Sequence, residues 1–210
     1  MQSAVLFDLD GVLIDTEGQY TAFWSTCSQE VFPDVPDFAS MVKGQTLSNI
    51  FSRFLPGDEA RQHLVEQKLL DFEALMDFPE IPGAFTFAQA LRQAGLKTAV
   101  VTSSNQNKMR SLRRRIPDFD SRFEHVFTAE DAARSKPFPD CYINAARFFG
   151  LCPQNCFVFE DSLNGLQAAK DSGAKVIGLT TTNPPEVIET FCSLTIPNFE
   201  GFTVEHMLQI

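Results

Sequence analysis

Apolar residues in this 210-residue chain fall into short continuous runs that alternate with stretches where they recur every three or four positions. The first run, Ala4-Val5-Leu6-Phe7, is four residues long and ends abruptly at an acid, which is the form of a strand buried on both faces. From Gly83 onward the two patterns take turns. Phe85, Ala88 and Leu91 stand at helical spacing before Gly95, and Lys97 to Val101 then reads as a buried strand. Gln106 to Ile116 reads as a polar helix, followed by a short strand at His125 to Thr128. Pro139 to Phe149 is helical up to Gly150 and leads to the strand Cys156 to Phe159; Leu163 to Ser172 is helical up to Gly173 and leads to the strand Lys175 to Leu179. This alternation predicts an α/β fold with a doubly wound parallel sheet.

Residues 17–81 break the rhythm, with helical stretches but no alternating strands. Turn-forming chemistry flanks them, Asp15-Thr16 on one side and Pro79-Glu80-Ile81-Pro82-Gly83 on the other. We therefore expect a core built from residues 1–16 and 82–210, with residues 17–81 inserted as a small helical cap. The insertion carries eleven acidic residues against four basic ones, Lys43, Arg53, Arg61 and Lys68.

With 44% hydrophobic residues and 21 Phe, the core should be rich in aromatics. No run approaches the roughly 18 apolar residues of a membrane span, and the first residues lack the basic segment of a secretion signal. A cytoplasmic location, no membrane association and no obligate protein partner are the expectations. The formal charge of −10 argues against a general nucleic-acid binder. It also requires that any phosphate site be made positive locally, by a metal, a lysine and backbone N–H groups. Arg113-Arg114-Arg115 spread around a helix and read as a solvated face. The five cysteines, unevenly spaced, read as reduced thiols, and Cys152 and Cys156 lack a second Cys or His pair for zinc.

The strand ends carry the candidate chemistry. Asp8 and Asp10 follow the first strand, and carboxylates that close suit a hard cation such as Mg²⁺ bound with a phosphate ester, although an Asp-rich turn closing a strand would give the same pair. Thr102-Ser103-Ser104-Asn105 follows the second strand, Lys136 precedes Pro137, and Glu160-Asp161 follows the fourth. Taken singly, Thr102 could cap a helix, Lys136 could be a loop lysine, and Glu160-Asp161 could charge a first helical turn. In an open α/β sheet, however, all these positions share one edge.

In this order, the segments Phe7 to Glu17, Val100 to Asn105, Lys136 to Asp140 and Glu160 to Ala174 resemble the haloacid dehalogenase superfamily, in the subgroup with a small helical cap that includes β-phosphoglucomutase and many sugar-phosphate phosphatases. The resemblance implies a Rossmann-like core and a role for each residue. Asp8 would be the nucleophile and Asp10 the general acid and base, with a carboxyl whose environment raises its pKa. Mg²⁺ would be held by Asp8, the Asp10 carbonyl and Asp161, with Glu160 as a further candidate ligand. Thr102, the Ser103 N–H and Lys136 would bind the phosphoryl oxygens, and Gly11 and Val12 would offer further N–H groups.

Asp10 and Asp161 argue against a 2-haloacid dehalogenase, whose pattern lacks them. Tyr20 and Leu47 stand where the β-phosphoglucomutase pattern has histidine and arginine, while Lys43-Gly44 is kept, so Lys43 is a candidate substrate contact. The expected activity is hydrolysis of a small phosphorylated metabolite, most simply a sugar phosphate. A phosphomutase, a pyrophosphatase and a non-catalytic phospholigand-binding protein are the alternatives.

Overall fold

The computed structural model describes residues 3–42 and 45–210; Lys43 therefore lies outside the described residues. The first strand, β1 (Ala4–Phe7), is followed by four helices, α1 (Glu17–Val31), α2 (Phe38–Met41), α3 (Leu47–Phe54) and α4 (Glu59–Leu75). Next come α5 (Ala84–Gln93), β2 (Lys97–Val101), α6 (Gln106–Arg115), β3 (His125–Phe127), α7 (Asp140–Phe148), β4 (Cys156–Glu160), α8 (Leu163–Ser172) and β5 (Lys175–Leu179). The chain ends with α9 (Pro185–Ile188), β6 (Leu194–Ile196) and α10 (Val204–Leu208).

The strands pair in the order β3-β2-β1-β4-β5-β6, all parallel. Central position explains the composition of β1. Val5 and Phe7 face α5, α6 and the C-terminal Phe199, Val204 and Met207, while Ala4 and Leu6 face α7 and α8, and all four strand residues are fully buried. A strand covered on both faces has no polar alternation. Phe7 stacks on Phe159 at 5.1 Å, with Phe87 and Phe199 around them, so the phenylalanine excess lies largely on one side of the sheet.

The sequence pattern anticipated five of the six strands among the described residues. The sixth, β6, extends the sheet beyond β5; its three residues are too few, and Leu194 too exposed, to give an apolar run. The third strand also stops one residue early, because Thr128 caps the next turn through Asp131.

Register brings the chemistry together. Phe7 sits opposite Val100 on β2 and Phe159 on β4, so the residues that follow these strands emerge side by side. Strand order reverses at β1, and a crevice opens at such a point. Above it, α1–α4 gather their own apolar cluster, including Trp24, Phe32, Phe38, Ile50 and Val65. Two backbone bonds tie both ends of this helical segment to each other: Asp15 N donates to Pro79 O at 2.8 Å, and Ile81 N donates to Leu13 O at 3.0 Å. Among the described residues no helix is long and apolar enough to cross a membrane.

Candidate active site

Asp8 leaves β1 with its N–H bonded to Phe159 O on β4 (3.0 Å), which fixes its side chain at the sheet edge. Its Oδ1 accepts from Lys136 Nζ at 2.6 Å. The same ammonium donates to Glu160 Oε1 at 2.7 Å and to Val101 O at 3.1 Å, so one buried lysine joins three neighbouring strand ends. Its pKa is driven well above the ordinary value: burial alone would lower it, but Asp8 and Glu160 outweigh that. The Lys136–Pro137 peptide is cis.

Both oxygens of Glu160 are taken by the protein. Oε1 also accepts from Tyr142 OH at 3.1 Å, and Oε2 accepts from the N–H groups of Asp161 and Ser162 and from Ser162 Oγ. Gly165 on α8 packs against this carboxylate so closely that a Cβ would overlap it.

Asp161 differs. Its Oδ2 accepts from Thr182 Oγ1, but its buried Oδ1 has no hydrogen-bond partner among the described residues. Carboxylate oxygens of Asp8, Glu160 and Asp161 lie within 4.8 Å of one another. Burial pushes Asp8 up to about 7 against the pull of Lys136, with Glu160 and Asp10 adding to the rise. Burial, Glu160 and Asp8 push Asp161 well above the carboxylate range. Crowded acidic oxygens with an orphaned lone pair fit a hard cation with oxygen ligands.

Gly11 is explained by the turn rather than by ligand binding. Its φ of +72° is costly for other residues, a Cβ would strike Asp161 Oδ2, and its N–H donates to Ile14 O at 2.8 Å. The Val12 N–H also bonds within the turn, to Leu9 O at 3.4 Å. Neither N–H, expected to face phosphate, is left over for it.

Asp10 likewise departs from expectation. Burial would raise its pKa, but the Lys108 ammonium, with hydrogen bonds from Lys108, Thr16 and Ser104, outweighs it and holds the carboxyl below the usual range. Lys108 Nζ sits 2.5 Å from Asp10 Oδ1 and Ser104 Oγ 3.0 Å from Oδ2, while Thr16 Oγ1 also donates to Oδ1. Asp10 is held as the carboxylate, the opposite of the raised pKa expected of a resting general acid.

Thr102 follows β2, its N–H bonded to Phe127 O, and its Oγ1 accepts from Ser104 N at 3.0 Å. Asn105 caps α6 by accepting from the N–H groups of Asn107 and Lys108, which sets Lys108 on the first turn and facing inward. Asp8, Asp10, Thr102, Ser103, Lys136 and Asp161 all line one cavity, whose opposite wall comes from the helical segment and includes Tyr20, Leu47 and Glu73.

Lys108, Glu73 and Tyr142 were not singled out from sequence, and Thr16 was read only as turn chemistry, not as a site residue. Two of them carried a signal: Lys108 shares a helical stripe with Leu112, and Glu73 continues the four-residue stripe Val65, Leu69. An ionisable group on the apolar face of a helix marks a buried partner or a ligand.

The haloacid dehalogenase-like hydrolase family model matches residues 2–173. Hexitol phosphatase A of Escherichia coli is 29% identical over 95% of this chain and 92% of its own length. The β-phosphoglucomutase of Bacillus subtilis is 28% identical over 86% and 84%. In three dimensions, a family IA, variant 3 HAD hydrolase from Entamoeba histolytica superposes with a TM-score of 0.84 at 24% identity, covering 100% of this chain and 98% of that one, a likeness of fold.

Proposed function

The chain belongs to the haloacid dehalogenase-like hydrolases, and on that premise we propose that it is a Mg²⁺-dependent phosphatase acting on a small phosphorylated metabolite, a sugar or polyol phosphate, through an aspartyl-phosphate. The observation that carries the reading is the meeting of a buried, Lys136-bonded Asp8 with the unpartnered Asp161 Oδ1 on the wall of one cavity.

Asp8 would attack phosphorus in line, the ester P–O bond breaking as the Asp8 O–P bond forms. The leaving oxygen takes a proton from Asp10; water then attacks the aspartyl-phosphate, returns a proton to Asp10, and frees phosphate and Asp8. Held by Lys108, Thr16 and Ser104, Asp10 is in the form that accepts the water's proton. Delivering a proton in the first half-reaction requires it to leave that cradle, away from which burial without Lys108 raises its pKa, and to take up one proton from solvent before the leaving oxygen departs. Thr16 lies at the first turn flanking residues 17–81, so movement of that segment as a cap would strain the Thr16–Asp10 bond while closing the crevice to solvent.

Lys136 neutralises Asp8 and the phosphoryl oxygens, and Thr102 Oγ1 and the Ser103 N–H are the candidate donors to those oxygens. Asp8, the Asp10 carbonyl and Asp161 would hold Mg²⁺, with Glu160 placing Asp161 and Lys136 rather than binding the ion, because both its oxygens are engaged. When bound, the ion supplies Lewis-acid neutralisation of phosphoryl charge.

The test is phosphate release, with and without Mg²⁺, from hexose, pentose and polyol phosphates, pyrophosphate and β-glucose 1-phosphate. Release from one or a few, lost on Asp8→Asn, is expected. Turnover that survives Asp8→Asn would refute the assignment, and conversion of β-glucose 1-phosphate to the 6-phosphate without release would make the protein a mutase.

A further inference from the structure

The cavity wall opposite Asp8 holds a carboxylate that the proposed chemistry does not use. Glu73, on α4, is 5% exposed and lines the cavity. Its Oε1 accepts from Tyr20 OH at 2.9 Å, and its Oε2 is buried with no hydrogen-bond partner among the described residues. The nearby cation is committed elsewhere: Lys108 Nζ bonds Asp10 at 2.5 Å and lies 4.4 Å from the centre of the Tyr20 ring. A buried acceptor left unmatched is unfavourable, more so when charged, and donors are what it selects. Glu73 lines the same cavity as Asp8 and stands near Lys108 and Asp10, so the donor it selects belongs to the leaving group rather than to the phosphoryl group.

We propose that Glu73 is a specificity-determining residue that accepts a hydrogen bond from a hydroxyl of the leaving group, selecting polyhydroxylated monophosphates and turning away esters with a second phosphate where Glu73 stands. This rests on the phosphatase reading and sharpens its substrate class. A second phosphate brings only acceptors and negative charge to a carboxylate, whereas a polyol or sugar brings O–H donors. A site built around one hydroxyl discriminates strongly against an analogue that lacks it, because the protein acceptor is then stranded.

The experiment compares kcat/KM for propyl phosphate, glycerol 3-phosphate, ribitol 5-phosphate, sorbitol 6-phosphate, glucose 6-phosphate and fructose 1,6-bisphosphate in the wild type, Glu73→Ala and Glu73→Gln. In the wild type the best polyhydroxylated monophosphate should exceed both propyl phosphate and the bisphosphate by about tenfold or more. Glu73→Ala should shrink its advantage over propyl phosphate by about tenfold, chiefly through KM. Glu73→Gln keeps the shape of the side chain and adds an N–H donor, so it should narrow the gap between monophosphate and bisphosphate. Equal losses on all esters in Glu73→Ala, with ratios preserved, would reduce Glu73 to a structural partner of Tyr20 and overturn the proposal. So would a wild type that prefers propyl phosphate or the bisphosphate. Absence of release from every ester, propyl phosphate included, would strike the phosphatase reading itself.

Discussion

Replacing Asp8, the proposed nucleophile, by asparagine should make the metal-free protein more stable at pH 8. The Asp8 carboxyl is buried, and burial, with Glu160 and Asp10 beside it, holds its pKa at about 7 even with Lys136 2.6 Å away. In the unfolded chain the same group titrates near 3.8. Between these values the folded protein binds the proton more tightly than the unfolded one, so stability is full below about pH 4 and is lost as pH rises through 7. At about 1.4 kcal/mol per pH unit, the loss from this one group is on the order of 4 kcal/mol. Asparagine is neutral throughout and its Oδ1 can still accept from Lys136. Urea unfolding in EDTA from pH 4.5 to 8 should therefore show curves for wild type and Asp8→Asn that diverge as pH rises, with the variant on top and the gap levelling above pH 7. Added Mg²⁺ should recover much of the wild-type loss at pH 8 and little in the variant. Parallel curves, or a variant less stable at pH 8, would refute the electrostatic account of the site.

Three further outcomes follow from the same geometry. Lys136→Met leaves Asp8 and Glu160 buried without their ammonium, and should lower stability by about 3–5 kcal/mol at pH 8 in equilibrium unfolding, with no measurable turnover. Gly165→Ala places a Cβ against the Glu160 carboxylate and should lower stability by about 1–3 kcal/mol, whereas Gly150→Ala, with open space around it but positive φ, should show only local backbone strain. Lys108→Met removes the cation that keeps Asp10 below the usual carboxylate range. That stabilisation is present above the unfolded-state pKa and is lost as pH falls through the folded one, so the deficit should be about 3 kcal/mol at pH 8 and should shrink toward pH 3, read by thermal unfolding.

The sheet was legible because its central strands are buried on both faces, so that apolar runs end abruptly where the crevice begins. Asp8, Thr102 and Asp161 could be placed on one edge from those endings alone, since parallel register aligns them. Lys136 was legible only through its motif, because its loop has no periodicity. What the pattern could not carry was the set of partners chosen by approach of the helical segment to α6. Lys108 shares a stripe with Leu112, which hints at burial, but in a stretch with Arg110, Arg113, Arg114 and Arg115 that stripe does not say which carboxylate it meets; the Asn105 cap and the approach of the helical segment do. The expected pKa of Asp10 failed for the same reason: two of its partners, Ser104 and Lys108, lie more than ninety residues along the chain.

The acidic balance of the chain takes on a different meaning at the site. Among the described residues, the two buried lysines that face the cavity are already bonded to carboxylates, Lys136 to Asp8 and Glu160, and Lys108 to Asp10. Among the described residues, positive charge is therefore concentrated at two points in the cavity, and the Glu73 carboxyl stands on the α4 wall near the second of them, Lys108. A dianionic phosphoryl group gains beside Lys136 and is opposed beside Glu73, so the cavity selects by charge as well as by shape. In a chain of net charge −10, long-range attraction does little to bring an anionic ester in, and orientation has to come from these short-range contacts. On the proposed reading, an ester entering phosphate-first would meet Lys136 and the donors after β2 while its hydroxyls reach Glu73; reversed, it would set phosphate against a carboxylate. Discrimination of the substrate and its orientation for the proposed attack by Asp8 would then both follow from the same charge arrangement.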